Sequence, residues 1–204
     1  MRRRSRFLCG ITRGHWQWLV DRSPRLSLSD TCPCALPSLS GTLAAVSFGE
    51  VSTKNIEQVR KLNSSIFPVK YNDKFYTDLS TVNATQYTHL AYFADIMVGA
   101  ICSRMEPQEG QSFKLYIMTI GVLAPYRRLG IGARLLEQTL EACSKDPNCE
   151  EVYLHVQVGN DAAVDFYKGF GFEVGEVVKD YYTRLDVNDA HIIRKRAPYT
   201  KASS

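Results

Sequence analysis

YIMTIGVLAPYRRLGIGARLLEQTLEAC, Tyr116 to Cys143, decides the fold of this chain. Leu115 to Val122 is apolar and β-branched, and reads as a buried strand. Leu123-Ala124-Pro125 ends it, because proline donates nothing to a ladder and restricts the residue before it. Arg127-Arg128-Leu129-Gly130-Ile131-Gly132 follows, and from Ala133 onward Leu135, Leu136, Leu140 and Cys143 share one helical face. Strand, basic glycine-bearing turn and helix bring backbone N–H groups and two arginines to a helix N-terminus. That geometry holds a phosphate or diphosphate. Gly130 and Gly132 allow the backbone close to the anion. A Walker A loop is excluded, since no Gly-Lys-Ser/Thr follows, and the Gly-x-Gly-x-x-Gly dinucleotide spacing is absent. The bland alternative is a solvated basic helix start.

Upstream, Phe48 to Val51 opens a first strand, and Ser52 or Thr53 can cap a helix carrying Ile56, Val59, Leu62 and Ile66. Phe67-Pro68-Val69 ends that helix, and a short one covers Lys74 to Asp78. Residues 80–86 read as a loop. Thr88 to Phe93 and Ile96 to Ser103 are strands about an Ala94-Asp95 turn, with Glu106 to Ser112 as the next hairpin loop. Downstream, Glu151 to Gln157 alternates Val152, Leu154 and Val156 against Tyr153, His155 and Gln157, which is strand periodicity. Asn160-Asp161 starts a helix with Ala163, Phe166 and Tyr167 inward, and Gly169 and Gly171 stop it. Phe172 to Val178 follows as a strand, Lys179 to Tyr182 bends into Thr183 to Leu185, and Ala190 to Lys195 closes as the last strand. The order is β-α-α-β-β-β-α-β-α-β-β, an α/β (α+β) chain with a mixed sheet and helices on both faces.

The chain has 204 residues, about one domain, and its 45% hydrophobic content suffices for a core. Three parts are expected: an extension over 1–48, a domain over 49–196 and a tail over 197–204. The net charge of +4 misleads. Residues 1–48 hold seven arginines and two aspartates, leaving the remainder slightly acidic. The basic balance belongs to the N-terminal segment and is poor evidence for a nucleic-acid-binding domain, so no direct nucleic-acid partner is expected. The extension is Arg- and Ser-rich. It reads as a segment without fixed structure, with an organellar transit peptide as the alternative. No apolar stretch reaches transmembrane length, so no membrane partner is expected. Cys32-Pro33-Cys34 is too tightly spaced for a zinc knuckle, and no metal site is expected. Cys102 and Cys143 read as small buried hydrophobes.

His155 lies opposite the apolar face of its strand. It is either a satisfied structural histidine or a general base, whose usual pKa of about 6.5 suits neutral pH. Tyr116 opens the central strand and is a second proton-transfer candidate, a poor base unless the site lowers its pKa from about 10. Tyr181-Tyr182, and Phe67-Pro68-Val69 with Tyr71, form two apolar-aromatic loops that can wall a peptide slot or simply pack on the sheet. Asn160 and Tyr167 flank the next helix, Asn160 as a cofactor contact or as an N-cap.

From about Glu50 to Arg194 the chain resembles the GNAT family of N-acetyltransferases, and within it the NatE-type protein N-terminal acetyltransferases. The strings that carry this are Phe67 to Lys74, Leu115 to Thr119, Leu123 to Gly132, Tyr153 to Gln157 and Phe166 to Phe172. The resemblance implies the GNAT fold, with a central, mostly antiparallel mixed sheet. It implies acetyl-CoA as cosubstrate, its pantetheine along Ile120, Gly121, Val122 and Leu123. The diphosphate would lie on Arg127, Arg128, Leu129, Gly130, Ile131, Gly132 and Ala133, with Asn160, Ala163 and Tyr167 near the thioester. Tyr116 and His155 would deprotonate the amine. Phe67, Pro68, Val69, Tyr71, Met118, Tyr181, Tyr182 and Arg184 would line the peptide slot. The implied acceptors are nascent chains that keep their initiator methionine, and also lysines. The implied partner is the NatA complex on the ribosome, and the implied location is the cytoplasm, with the nucleus as a second. The competing functions are a small-amine or lysine acetyltransferase of the same fold and a non-catalytic scaffold subunit.

Overall fold

Two apolar faces alternate along Ile96–Pro107, and this strand sets the architecture. Val98 and Ile101 enter one core, while Met97, Ala100 and Cys102 enter the other. A strand buried on both faces belongs inside a sheet covered on both sides. The computed structural model describes residues 45–67, 70–80, 85–182 and 187–199. In chain order its elements are β1 (Val46–Glu50), α1 (Ile56–Ile66), α2 (Asp73–Leu79), β2 (His89–Phe93), β3 (Ile96–Pro107), β4 (Phe113–Val122), a 3-10 turn (Ala124–Tyr126), α3 (Ile131–Lys145), β5 (Cys149–Gln157), α4 (Asp161–Lys168), β6 (Glu173–Val178) and β7 (Ala190–Arg196). The element order is the one the sequence predicts.

The strands form a seven-stranded sheet in the order β1-β2-β3-β4-β5-β7-β6. Pairing is antiparallel throughout, except between β4 and β5, which α3 connects as a crossover. α3 and α4 cover one face, with Leu135, Leu136, Leu140, Cys143, Ala163 and Tyr167 packed on Leu115, Val152 and Leu154. α1 and α2 cover part of the other through Val59, Leu62, Tyr76 and Leu79. Cys102 and Cys143 are buried, as read from their apolar surroundings. No helix among the described residues is long and apolar enough to cross a membrane.

Several boundaries move. The sheet begins at Val46, which pairs with Phe93 and is buried, two residues inside the stretch read as an extension. Tyr199, in the stretch read as a tail, is also buried, its hydroxyl donating to the Cys149 carbonyl at 3.0 Å. Neither Ser52 nor Thr53 caps α1. Asn55 takes that position, its Oδ1 accepting from the Ser52 N–H at 2.7 Å and its Nδ2 donating to the Glu50 carbonyl at 3.0 Å. Glu106 and Pro107 lie in β3 rather than in the hairpin loop, because they pair with Lys114 and Phe113. Their polarity hid the strand: they sit where one face of the sheet is not covered by a helix. α3 starts at Ile131 rather than Ala133, because Gly130 turns the chain with φ of 80° and lets Gly132 join the first turn. Thr183 to Leu185, after the predicted bend, and most of the 80–86 loop lie outside the described residues.

Leu135 is fully buried between α3 and the sheet. Leu135→Ala should destabilise the fold by about 2–5 kcal/mol, read as a lower denaturant midpoint at unchanged slope.

Candidate active site

The two parallel strands part company at the centre of the sheet. β4 and β5 pair through Tyr116 and Tyr153, and the pairing stops there. β4 stays on β3 as far as Val122, and β5 stays on β7 as far as Gln157. The C-terminal halves of two strands therefore diverge while each keeps its outer neighbour. The register of β4 on β3 slips at the same level: Ser103 faces Ile117 and Cys102 faces Thr119, so Met118 is an extra, bulged residue. Bulges bend a strand and re-aim its side chains. Beyond Tyr116 the inner edge of β4 lacks its ladder with β5, an open backbone edge for an extended, amide-bearing ligand to pair with.

The basic turn stands at the wide end of this splay. Arg128 has φ of 60° and Gly130 φ of 80°, two left-handed residues that swing the chain from strand to helix. The first bond of α3 runs from the Arg134 N–H to the Gly130 carbonyl at 3.0 Å. The N–H groups of Ile131, Gly132 and Ala133 precede it and have no intrahelical acceptor. Arg127 donates through Nε to the Val122 carbonyl at 3.0 Å, which ties the turn to the end of β4. Arg128 and Gly130 are exposed, and an added Cβ at Gly132 would meet only Val122 at 3.9 Å. Donors, positive charge and room thus coincide where a diphosphate would sit, so these residues fit coenzyme A. Ile120, Gly121 and Val122 are buried on the splayed strand, with Leu123 half-buried beyond them. Gly121 is required by packing, since a Cβ there would lie 3.1 Å from both Ile66 and Phe67.

At the narrow end the rings gather. The Tyr116 and His155 ring centres are 5.6 Å apart. The sequence places these two residues on strands that can be neighbours, and the structure brings them together. Tyr181 stacks on His155 at 4.0 Å and 11°, and its hydroxyl lies 2.9 Å from that of Tyr116. The Tyr182 hydroxyl reaches the His155 carbonyl at 3.5 Å. Phe67, Tyr71 and Phe75 form a second aromatic chain, with centroids 5.9 and 4.4 Å apart, and Tyr71, Phe75 and Met118 pack against one core cluster. Two aromatic walls therefore flank the open part of the sheet. Pro68, Val69 and Arg184 lie outside the described residues.

Burial sets the protonation states. Desolvation pushes the His155 imidazole down to about 4, against a small opposite pull from Glu106, so it is neutral at pH 7. Its Nδ1 is buried with no protein partner. The Tyr116 phenol is pushed well above 10, first by desolvation and then by Tyr181. The sequence left open whether the site would lower this pKa; it raises it, so the Tyr116 phenol stays protonated at neutral pH. Tyr167 is fully buried beside Phe166 and Phe172, and desolvation likewise raises its pKa. Asn160 acts as the N-cap, its Oδ1 accepting from the Ala163 N–H at 3.2 Å. No group of three His, Cys, Asp or Glu side chains that could hold a metal ion occurs among the described residues.

Three neighbours escaped the sequence reading. Tyr153 lies 5.0 Å from Tyr116 and 6.0 Å from His155, ring to ring, and its hydroxyl donates to Glu106, which also pairs with Arg104. The alternation along β5 already puts Tyr153 on the His155 face. Glu106 and Arg104 gave no such signal, because Glu106 read as hairpin loop and Arg104 fell just past the predicted strand end at Ser103.

Residues 56–172 match the family model described as the acetyltransferase (GNAT) family. The chain is 50% identical over 150 residues to N-alpha-acetyltransferase 50 of Danio rerio, covering 74% of this chain and 88% of the relative. It is 45% identical over 163 residues to the probable N-acetyltransferase san of Drosophila melanogaster, covering 80% and 87%. Among solved structures, Arabidopsis thaliana Naa50 in complex with the bisubstrate analogue CoA-Ac-MVNAL superposes with a TM-score of 0.69 at 47% identity, covering 74% of this chain and 98% of that one.

A histidine whose folded pKa is below its unfolded value stays neutral in the fold while the unfolded chain takes up protons. The stability this gives is fully present above about pH 6.5 and is lost as the pH falls toward 4. Denaturant titrations should therefore show lower stability at pH 5 than at pH 7. His155→Phe should narrow that gap, with His89, also lowered by burial, supplying the remainder.

Proposed function

Because the chain belongs to the acetyltransferase (GNAT) family, we propose that the β4–β5 splay seats acetyl-CoA against the mouth of a peptide slot, with His155 between them. The protein is an N-terminal acetyltransferase of the NatE type, moving the acetyl group of acetyl-CoA to peptide N-termini. The observation that carries the reading of the site is the neutral imidazole of His155, its buried Nδ1 without a hydrogen-bond partner, at the point where β4 and β5 separate.

When bound, acetyl-CoA supplies an activated acyl group as a thioester. The turn from Arg127 to Ala133 holds its diphosphate, and Ile120 to Leu123 offers strand-like pairing to its amide-bearing arm. The peptide's α-ammonium has a pKa of about 7.7–8.0, so roughly a tenth is already neutral at pH 7. As the nitrogen forms its bond to the carbonyl carbon it becomes strongly acidic. A weak base then suffices, and the His155 imidazole takes the proton directly or through one water. Backbone N–H groups at the Met118 bulge meet the charge developing on the carbonyl oxygen. Tyr167, with its raised pKa, holds the proton that goes to the departing sulfur.

The slot favours an apolar first side chain, because Phe67, Tyr71 and Met118 present rings and a thioether rather than charge. Retained initiator methionine fits it, and the peptide of the analogue bound by the Arabidopsis relative begins with methionine. Lysine side chains are a second acceptor class in this proposal. We also propose association with the NatA complex and a cytoplasmic location with a nuclear share. Both rest on the likeness to N-alpha-acetyltransferase 50.

Acetylation of a panel of peptides with free and blocked N-termini tests the reading. Met-Leu peptides with free amines should be preferred, and blocking the amine should abolish the signal. His155→Ala should lower kcat/KM by about 100-fold or more; wild-type turnover would remove the base assignment. Phe67→Ala should raise KM for peptide while leaving acetyl-CoA affinity unchanged, and equal loss of both would argue against the slot.

A further inference from the structure

We propose that Glu106 is a positioning residue for the transfer: its carboxylate, clamped between the Arg104 guanidinium and the Tyr153 hydroxyl, fixes the rings around Tyr116 and supplies the negative charge that keeps His155 basic enough to accept the amine's proton. The proposal rests on the reading of His155 as that acceptor.

The sheet register places the parts. Arg104 on β3 faces Tyr116 on β4, which faces Tyr153 on β5, so the three share one row. Glu106 stands one row away, opposite Lys114. Lys114 pairs with Glu151 at 3.4 Å, while Glu106 turns to Arg104 and Tyr153. The Arg104 guanidinium lies 5.3 Å from the Tyr116 ring centre, on which Tyr153 also packs. Tyr116, Tyr153 and His155 then close a triangle of rings with centroids 5.0, 5.6 and 6.0 Å apart. One carboxylate thus anchors two of the four groups that confine Tyr116; the others are the His155 ring and the Tyr181 hydroxyl.

Charge gives Glu106 its second role. The titratable and charged groups around His155 are Tyr116 on β4, Tyr153 on β5, Tyr181 and Tyr182 after β6, Arg104 and Glu106 on β3, and Arg194 on β7 opposite Tyr153. Burial strips the imidazole of water and disfavours its charged form, and Glu106 is the charge that acts against this. The transfer needs an imidazole that is neutral at rest and still able to take a proton as the amine reacts. A carboxylate held at one remove, bonded to Tyr153 rather than to the imidazole, leaves the ring nitrogens available and biases only the field.

Glu106→Gln keeps the shape and removes the charge. In protein with labelled histidine, the NMR titration of His155 should move down by about half a unit to one unit. The acid limb of kcat/KM should move with it, and the plateau should fall about three- to tenfold, with acetyl-CoA affinity unchanged. Glu106→Asp should recover the His155 titration in part. Tyr153→Phe breaks the hydrogen bond but keeps the carboxylate; it should lower kcat while leaving the His155 titration within a few tenths of a unit, in line with a role in holding the rings. An unmoved His155 titration in folded Glu106→Gln would overturn the electrostatic part, and full activity in Tyr153→Phe would overturn the positioning part. The titration is read without turnover. Failure of the base reading would appear instead as an active His155→Ala enzyme.

Discussion

Parallel strands joined by a crossover helix can be held together at one end and let go at the other, and this chain does so between β4 and β5. The pairing of Tyr116 with Tyr153 is the hinge of that divergence. Two further constraints make it tolerable. β3 and β7 keep the outer edges of the diverging strands fully paired, so neither strand is left to fray. The extra residue at Met118 lets β4 bend without losing its hold on β3. What remains is an inner edge of unpaired backbone groups, costly if buried dry and useful if an extended ligand supplies the missing partners. The same divergence aims the C-terminal end of β4 at the turn before α3. The diphosphate-binding donors and the open edge therefore arise from one distortion, not two.

The second organising feature is partial desolvation at the narrow end. Tyr116, Tyr153 and His155 are half-buried against one another, with the exposed Tyr181 stacked on His155, and each ionisable group whose shift is resolved there is pushed toward its neutral form. Neutral phenols and a neutral imidazole neither repel an incoming amine nor hold it as an ammonium. The charges nearby, Arg104 and Glu106, sit at the edge of this cluster, half-buried and paired. A polar environment arranged this way acts through oriented dipoles and one offset charge, and little needs to reorganise when the proton moves.

Much of this was legible in the sequence, because it depends on periodicity and turn chemistry. Val152, Leu154 and Val156 against Tyr153 and His155 fixed both the strand and the face. Leu135, Leu136, Leu140 and Cys143 fixed the buried side of α3. The basic turn was visible from its arginines and glycines. The start of α3 was not, since a glycine at the second helical position looks like part of a loop until the left-handed Gly130 is seen to set the helix off. Asn55 was missed as the end of α1 because its side chain bonds backward to Ser52 and Glu50, a contact no capping pattern encodes. The protonation states were out of reach altogether. A histidine and a tyrosine on neighbouring strands look like a base pair of ordinary pKa, and only the stacked Tyr181, contributed from a distant loop, shows how far they are desolvated.

The Arg104–Glu106 pair raises the question of whether its charges cancel at the site. At Tyr153 both partners act, with opposite signs: Glu106 raises the phenol's pKa through a hydrogen bond and through its charge, and Arg104 lowers it less. At His155, Glu106 acts against the desolvation that lowers the imidazole's pKa. The Arg104 guanidinium lies 5.3 Å from the Tyr116 ring centre, and Glu106 accepts from the Tyr153 hydroxyl on β5. An ion pair seen end-on is a dipole rather than a neutral object, and its nearer end dominates at short range in a medium of low polarity. Tyr153 therefore does more than fill space beside the two reacting groups: its hydroxyl ties Glu106 to β5 and so helps hold the ring cluster in place.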